Sequence, residues 1–288
     1  MLSYQEIEIF ILILVTLIYA MFDVFNKRNV PNIFVYATIG LGVALALIAN
    51  SGLNLVICFS IAATVGLLGY LFYRSGLLGG GDVLEFVFIA LVMPTQIPPF
   101  FSNAYQWNIP FILSVMIAAG YTSLLFIPIY YMGIKKPQKN VQKSGEKRKL
   151  KSGIMLFAAY LIFIIAIKYA YGISILGAAL ILLLAISSVI IMVYERRIYL
   201  GMVEFIYPSG LEDGDMIATN LMDRKDIAYF NKRSKFGRLA SNKLISEIKG
   251  IKKKIPVYRD SVPFSLFIFF GVVISLLFGN LILTIIGL

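Results

Sequence analysis

Few residues in this chain could do chemistry. There is no histidine, which excludes imidazole acid–base catalysis, histidine metal ligation and histidine pH switches. The single cysteine, Cys58, cannot close an intrachain disulfide. Of the fifteen Asp and Glu residues, Glu6 and Glu8 stand at the edge of the first apolar run. Glu146 and the acids from Glu195 to Asp260 fall in or beside polar segments. Only Asp23, Asp82 and Glu85 lie within long apolar runs. An ionised side chain in hydrocarbon costs about 2.5–3.5 kcal/mol or more, so these three acids are the candidates for function.

Two carboxylates brought close together can split water without another cofactor. Like charges in proximity do not both ionise easily, so the pair shares one proton. The ionised member takes a proton from water, and the protonated member donates to a carbonyl oxygen while that water attacks the carbon. Such a pair titrates as a unit. Asp82 opens an apolar run, and the positive end of a helix there favours its ionised form. Each acid also has a plainer reading. Asp23 could be a helix-end acid paired with Lys27 at i+4, and Asp82 could be an N-cap after the glycine turn Leu77–Gly81. Glu85, one turn from Asp82, could tune that acid, bind a basic group of a substrate, or sit protonated with no role. Gly79, Gly80 and Gly81 would let a substrate backbone approach closely. They are not a phosphate cradle, because Asp82-Val83 replaces the Lys-Ser/Thr that such a loop requires.

The elements that position these acids are membrane spans. The chain has 288 residues, of which 59% are hydrophobic and 14% charged, with a mean hydropathy of +0.86. That composition excludes an ordinary soluble globule, a disordered chain and a disulfide-built module. Runs of roughly 18–25 apolar residues cross a bilayer as helices. Eight are legible: Ile7–Phe25, Pro31–Asn50, Leu53–Tyr73, Gly81–Phe101, Ile109–Met132, Gly153–Tyr171, Ile173–Tyr194 and Val262–Leu288. Pro94, Pro98 and Pro99 are placed to end the fourth early. The sixth and seventh meet at Tyr171–Gly172, either as two spans or as a broken, re-entrant pair. The expected fold is an all-α polytopic membrane protein of about eight helices with a small cytoplasmic α+β domain.

Lys and Arg mark cytoplasmic loops. With the N-terminus outside, the inner segments are 26–30, 74–80, 133–152 and 195–261. They hold every Lys and Arg except Lys168. The termini are therefore expected outside, with Asp23 and Asp82 both at the inner face, where packing of the first and fourth spans would join them. The net charge of +11 then reflects topology and contact with anionic membrane lipid, not a nucleic-acid partner, for which no binding module is present. By segment, 1–134 is the membrane core, 135–152 a basic loop, 153–194 a helical pair, 195–261 a basic cytoplasmic domain and 262–288 a closing span. Within 195–261, the stretches 197–207 and 211–220 read as paired strands around the turn Pro208-Ser209-Gly210. Leu239–Ile251 reads as a short basic helix.

Gly79-Gly80-Gly81-Asp82 contains the Gly-x-Gly-Asp motif of intramembrane aspartyl proteases. The segment Asp23-Val24-Phe25-Asn26-Lys27-Arg28-Asn29-Val30-Pro31-Asn32 resembles the first-aspartate segment of type IV prepilin peptidases. Paired and in this order, the motifs resemble archaeal prepilin and preflagellin peptidases over residues 1–94. Similarity to archaeal members extends to Leu211–Asp215 and to the closing stretch from Ile255-Pro256 to Gly279-Asn280. The resemblance implies that Asp23 and Asp82 are catalytic, with Gly79 and Gly81 as motif glycines. It implies a prepilin or archaellin-like precursor with a short basic leader as substrate, cut at the cytoplasmic face of the cell membrane. No metal or other cofactor is implied. The four-cysteine segment of many bacterial members is absent, and N-methyltransferase activity is not expected. Many members carry Lys two residues after the second aspartate, where this chain has Leu84. An ion-coupled secondary transporter, which also uses intramembrane acids, and an assembly scaffold on the same fold are the alternatives.

Overall fold

The computed structural model describes residues 3–26, 30–75, 78–100, 109–131, 146–231, 236–259 and 263–286. Its first seven helices are α1 (Tyr4–Phe25), α2 (Asn32–Ala49), α3 (Gly52–Arg74), α4 (Gly80–Val92), α5 (Phe111–Ile129), α6 (Glu146–Tyr171) and α7 (Ile175–Met202). They are followed by β1 (Glu204–Ile206), α8 (Arg224–Asn231), α9 (Asn242–Ile248), β2 (Ile255–Val257), α10 (Phe264–Phe278) and α11 (Leu281–Ile286). Among the described residues, α1, α2, α3, α5, α6 and α7 are each long and apolar enough to cross a membrane. Large apolar side chains that water would drive inward point outward instead, such as Ile33 at 86% exposure. The protein is an all-α, multi-pass membrane protein.

The short helix α4 is the axis of the bundle. At 13 residues it rises about 20 Å, well short of a hydrocarbon core of about 30 Å. It can be short because neighbours shield it. Phe86 and Phe88 to Val92 are all buried, with α2 and α3 packed most heavily on α4 and α1, α5 and α10 also in contact with it. Close approach of α2 and α3 depends on missing side chains. A Cβ on Gly69 of α3 would lie 2.6 Å from Val83 Cγ1, and one on Gly42 of α2 would lie 3.1 Å from Phe88 Cδ2. Helix α4 stops at Val92, before Pro94, so the fourth apolar run does not continue as helix to Phe101.

The closing apolar run is also interrupted. Gly279 adopts φ +74°, a left-handed conformation open chiefly to glycine, and separates α10 from α11. Helix α10 packs along both α1 and α5. At Gly271 it meets α5 so closely that a Cβ would lie 2.6 Å from the Val115 carbonyl oxygen and 3.0 Å from the Ala119 nitrogen. At the end of α10 a polar knot closes the bundle. Ser114 donates to Gln96 Oε1 at 2.7 Å, and Asn280 Nδ2 donates to Ser114 at 3.2 Å. Helices α6 and α7 pair outside this core. Gly172, with φ +75°, turns one into the other, and Ser187 and Tyr121 bond carbonyls between α7 and α5.

Residues 203–259 build a second, separate core around Ile217, Phe230, Ile248, Ile255 and Val257. Here the strand expectation needs correction. Residues 197–202 continue α7 as helix, past a kink at Tyr194. Strand β1 pairs antiparallel with the distant β2, Glu204 opposite Val257 and Ile206 opposite Ile255, rather than with 211–220. Ile217 contributes only an isolated bridge to Val257. β-Branched composition identified strand-forming residues but not their partner, because pairing is decided by which apolar faces meet in the core. Within 135–152, residues 146–152 belong to α6, and its Lys149 pairs with Glu195 of α7 at 2.7 Å. Residues 135–145 of the basic loop lie outside the described residues.

Gly271→Ala is expected to lower stability by about 1–3 kcal/mol, since the added methyl meets backbone that cannot rotate away. Thermal unfolding of the purified variant in detergent checks this. An unfolding temperature equal to that of the parent contradicts the α5–α10 contact.

Candidate active site

Three helix ends converge at one end of the bundle. Asp23 lies in the last turn of α1, Asp82 in the first turn of α4 and Ser265 in the first turn of α10. The start of α2 joins them, because a Cβ on Gly81 would lie 3.7 Å from Val30 Cγ2. Residues 203–259 stand between α7 and α10 at this same end.

Asp82 is not the N-cap of α4. Gly79 is, and Asp82 is the third helical residue, with its Oδ2 reaching back to accept the Gly79 N–H at 3.1 Å. This satisfies one of the four donors that a helix start leaves without an internal partner. The contact leaves no room at Gly79, where a Cβ would lie 2.9 Å from Asp82 Oδ2. The other oxygen, Oδ1, accepts the Ser265 hydroxyl at 3.1 Å. Asp23, only 8% exposed, accepts the Ser265 backbone N–H on Oδ2 at 3.0 Å. Asp23 therefore caps α10 through a residue 242 positions downstream. Lys27, its expected i+4 partner, lies outside the described residues.

One residue, Ser265, thus holds both acids, through its backbone on one side and its side chain on the other. Each carboxylate also faces the positive end of a helix, α4 for Asp82 and α10 for Asp23, an arrangement that favours negative charge at both. The packing of α1 against α4 is lighter than that of α1 along α10. The two acids meet across the head of α10 rather than through a direct seam between the first and fourth spans.

Glu85 is fully buried, and among the described residues neither carboxyl oxygen has a hydrogen-bond partner. It lies within electrostatic reach of Asp82, Asp23 and Ser265, although the serine hydroxyl is directed at Asp82. Tyr19, one turn before Asp23 and also buried, bonds Thr38 of α2 at 2.9 Å and lines the same interior. Gly80 packs against the Tyr73 ring, with 3.5 Å from a Cβ to Cε2. Among the described residues no cluster of three or more acidic or cysteine side chains could hold a metal ion.

Sequence reasoning missed Ser265. A serine in an apolar helix carries no distinctive pattern, and 183 positions separate it from Asp82. The one available signal was that Pro263 already starts the helix, which leaves a polar residue inside the first turn without a capping task. Compared with known protein families, curated proteins and solved structures, the chain matches none.

Replacing Glu85 by Leu is expected to leave stability unchanged or raise it by about 1–3 kcal/mol, the usual penalty of a buried polar group left without a partner. Unfolding temperatures of the two proteins provide the comparison. A marked loss of stability in the leucine variant contradicts the burial of an unpartnered acid.

Proposed function

We propose that this chain is a membrane aspartyl endopeptidase that removes the short basic leader of prepilin or archaellin-like precursors. The observation that carries the reading is the pair of hydrogen bonds by which Ser265 joins Asp23 to Asp82. Two acids from different helices share one buried partner, and they sit in the two motifs that resemble prepilin peptidases.

The chemistry follows from that pairing. One carboxylate takes a proton from water as the water oxygen attacks the scissile carbonyl carbon. The other, protonated, gives its proton to the carbonyl oxygen. Collapse of the tetrahedral intermediate returns a proton to the leaving amine and breaks the C–N bond. Both acids face a helix start, so either can serve as the ionised member, and the pair titrates as a unit. The glycines 79–81 leave the approach to Asp82 free of side chains, and a basic leader suits a site with three acids. The remaining topology belongs to the same reading. Helices α4 and α10 complete eight spans with their flanking segments, both termini lie outside the cell membrane, and 203–259 forms a small cytoplasmic α+β domain beside the site.

The test mixes the purified chain with candidate precursors and maps the cut by mass spectrometry. Asp23→Asn and Asp82→Asn are each expected to slow cleavage by about 1,000-fold, within the range of general acid–base contributions, while membrane insertion is unchanged. Gly79→Ala is expected to impair cleavage as well, because its methyl displaces the Asp82 carboxylate. Cleavage by either Asn variant at the parent rate refutes the proposal. Ion-coupled uptake by proteoliposomes without any cleavage favours a transporter instead.

A further inference from the structure

Ser265 does not behave as a serine at a helix start ordinarily does. Serine near a helix N-terminus usually turns its hydroxyl onto backbone donors of its own helix. In α10 the N-cap is Pro263, which has no side chain for that task, and the helix is capped instead by the Asp23 carboxylate on Ser265 N–H. The Ser265 hydroxyl then points across to another helix, onto Asp82 Oδ1. Ser265 is 1% exposed; its contact with Asp23 is buried and its contact with Asp82 is half-buried.

The serine is itself held firmly. Next to it, Phe264 meets Phe86 of α4 edge-on, with ring centroids 6.3 Å apart, and Gly271 seats α10 directly on the backbone of α5. The position of α10 therefore sets the distance between the two acids.

From this geometry we infer that Ser265 is a positioning residue for the carboxylate pair, fixing the separation and rotation of Asp23 and Asp82. The inference rests on the peptidase reading above and deepens it. A hydrogen bond to a charged acceptor is strong and directional. A misplacement of about 1 Å at a reacting group can slow a reaction by about 100-fold. Removing the hydroxyl takes away one of the bonds that orient the Asp82 carboxylate, while the backbone bond to Asp23 remains. Substrate affinity should change little and turnover greatly.

The experiment measures kcat and KM for a synthetic precursor, a short basic leader followed by a hydrophobic helix, using the full chain in detergent. Parent, Asp23→Asn, Asp82→Asn, Ser265→Ala and Ser265→Thr are compared, with unfolding temperatures for all. Ser265→Ala is expected to lower kcat by about 10- to 100-fold with KM within about threefold. Ser265→Thr, which keeps the hydroxyl, is expected to restore most of the turnover. If the alanine variant does not fold, Ser265→Cys replaces it, having similar shape but only a weak donor, with the same loss of kcat expected. Parent-like kcat in the alanine or cysteine variant overturns the inference, as does a rise in KM alone or an equal loss in a folded threonine variant. In each of those cases Asp-dependent cleavage by the parent leaves the peptidase reading standing. A parent that cuts no precursor removes that reading, and the inference with it.

Discussion

The structure turns on a single buried junction, where the first turn of α10 receives one carboxylate on its backbone and offers its hydroxyl to another. Without protein donors, a buried Asp23 and a half-buried Asp82 this close would repel each other and lose hydration with little in return. The junction supplies three of those donors: the Ser265 N–H, the Ser265 hydroxyl and the Gly79 N–H. The positive ends of two helices add to them. Withdrawing the acids from water and satisfying their oxygens is thus one structural problem, solved by directing helix starts at them.

That solution dictates the arrangement of the bundle. Helix starts can converge on buried acids only if some helices begin inside the assembly rather than at its lipid-facing edge. The short α4 and α10 do so, and they are the helices most enclosed by others. Backbone that does not span the hydrocarbon is tolerated where protein covers it. The longer α1, α2, α3 and α5 form that cover, with glycines at the tightest approaches. Helices α6 and α7 face outward over most of their surface and bond the core through α5. Glu85 is the exception to this economy of donors, a third acid in the same interior with no hydrogen-bonding partner among the described residues.

Much of the design was legible in the sequence because charge in an apolar run is rare. Asp23 and Asp82 were recognisable from hydropathy alone, and the alternation of basic segments predicted that they lie at one depth. The early end of the fourth run was readable from its prolines. Other features were not local. Which helix carries the contact between the acids depends on packing, and α10, not a direct α1–α4 seam, carries it. Serine 265 had no pattern to mark it, and strand β1 found its partner some fifty positions away because the core around Ile255 and Val257 selected it. The break at Gly279 was hidden in a continuous apolar run, since hydropathy does not register a change in backbone hand.

The most direct measurement of the central claim is an experimental structure of the full chain in a lipid nanodisc at a resolution that places side chains. The account predicts Asp23 and Asp82 both within hydrogen-bond distance of Ser265, one at its backbone nitrogen and one at its hydroxyl, at the heads of α10 and α4. Carboxylates held on separate partners, too far apart for one water to touch both, would contradict it.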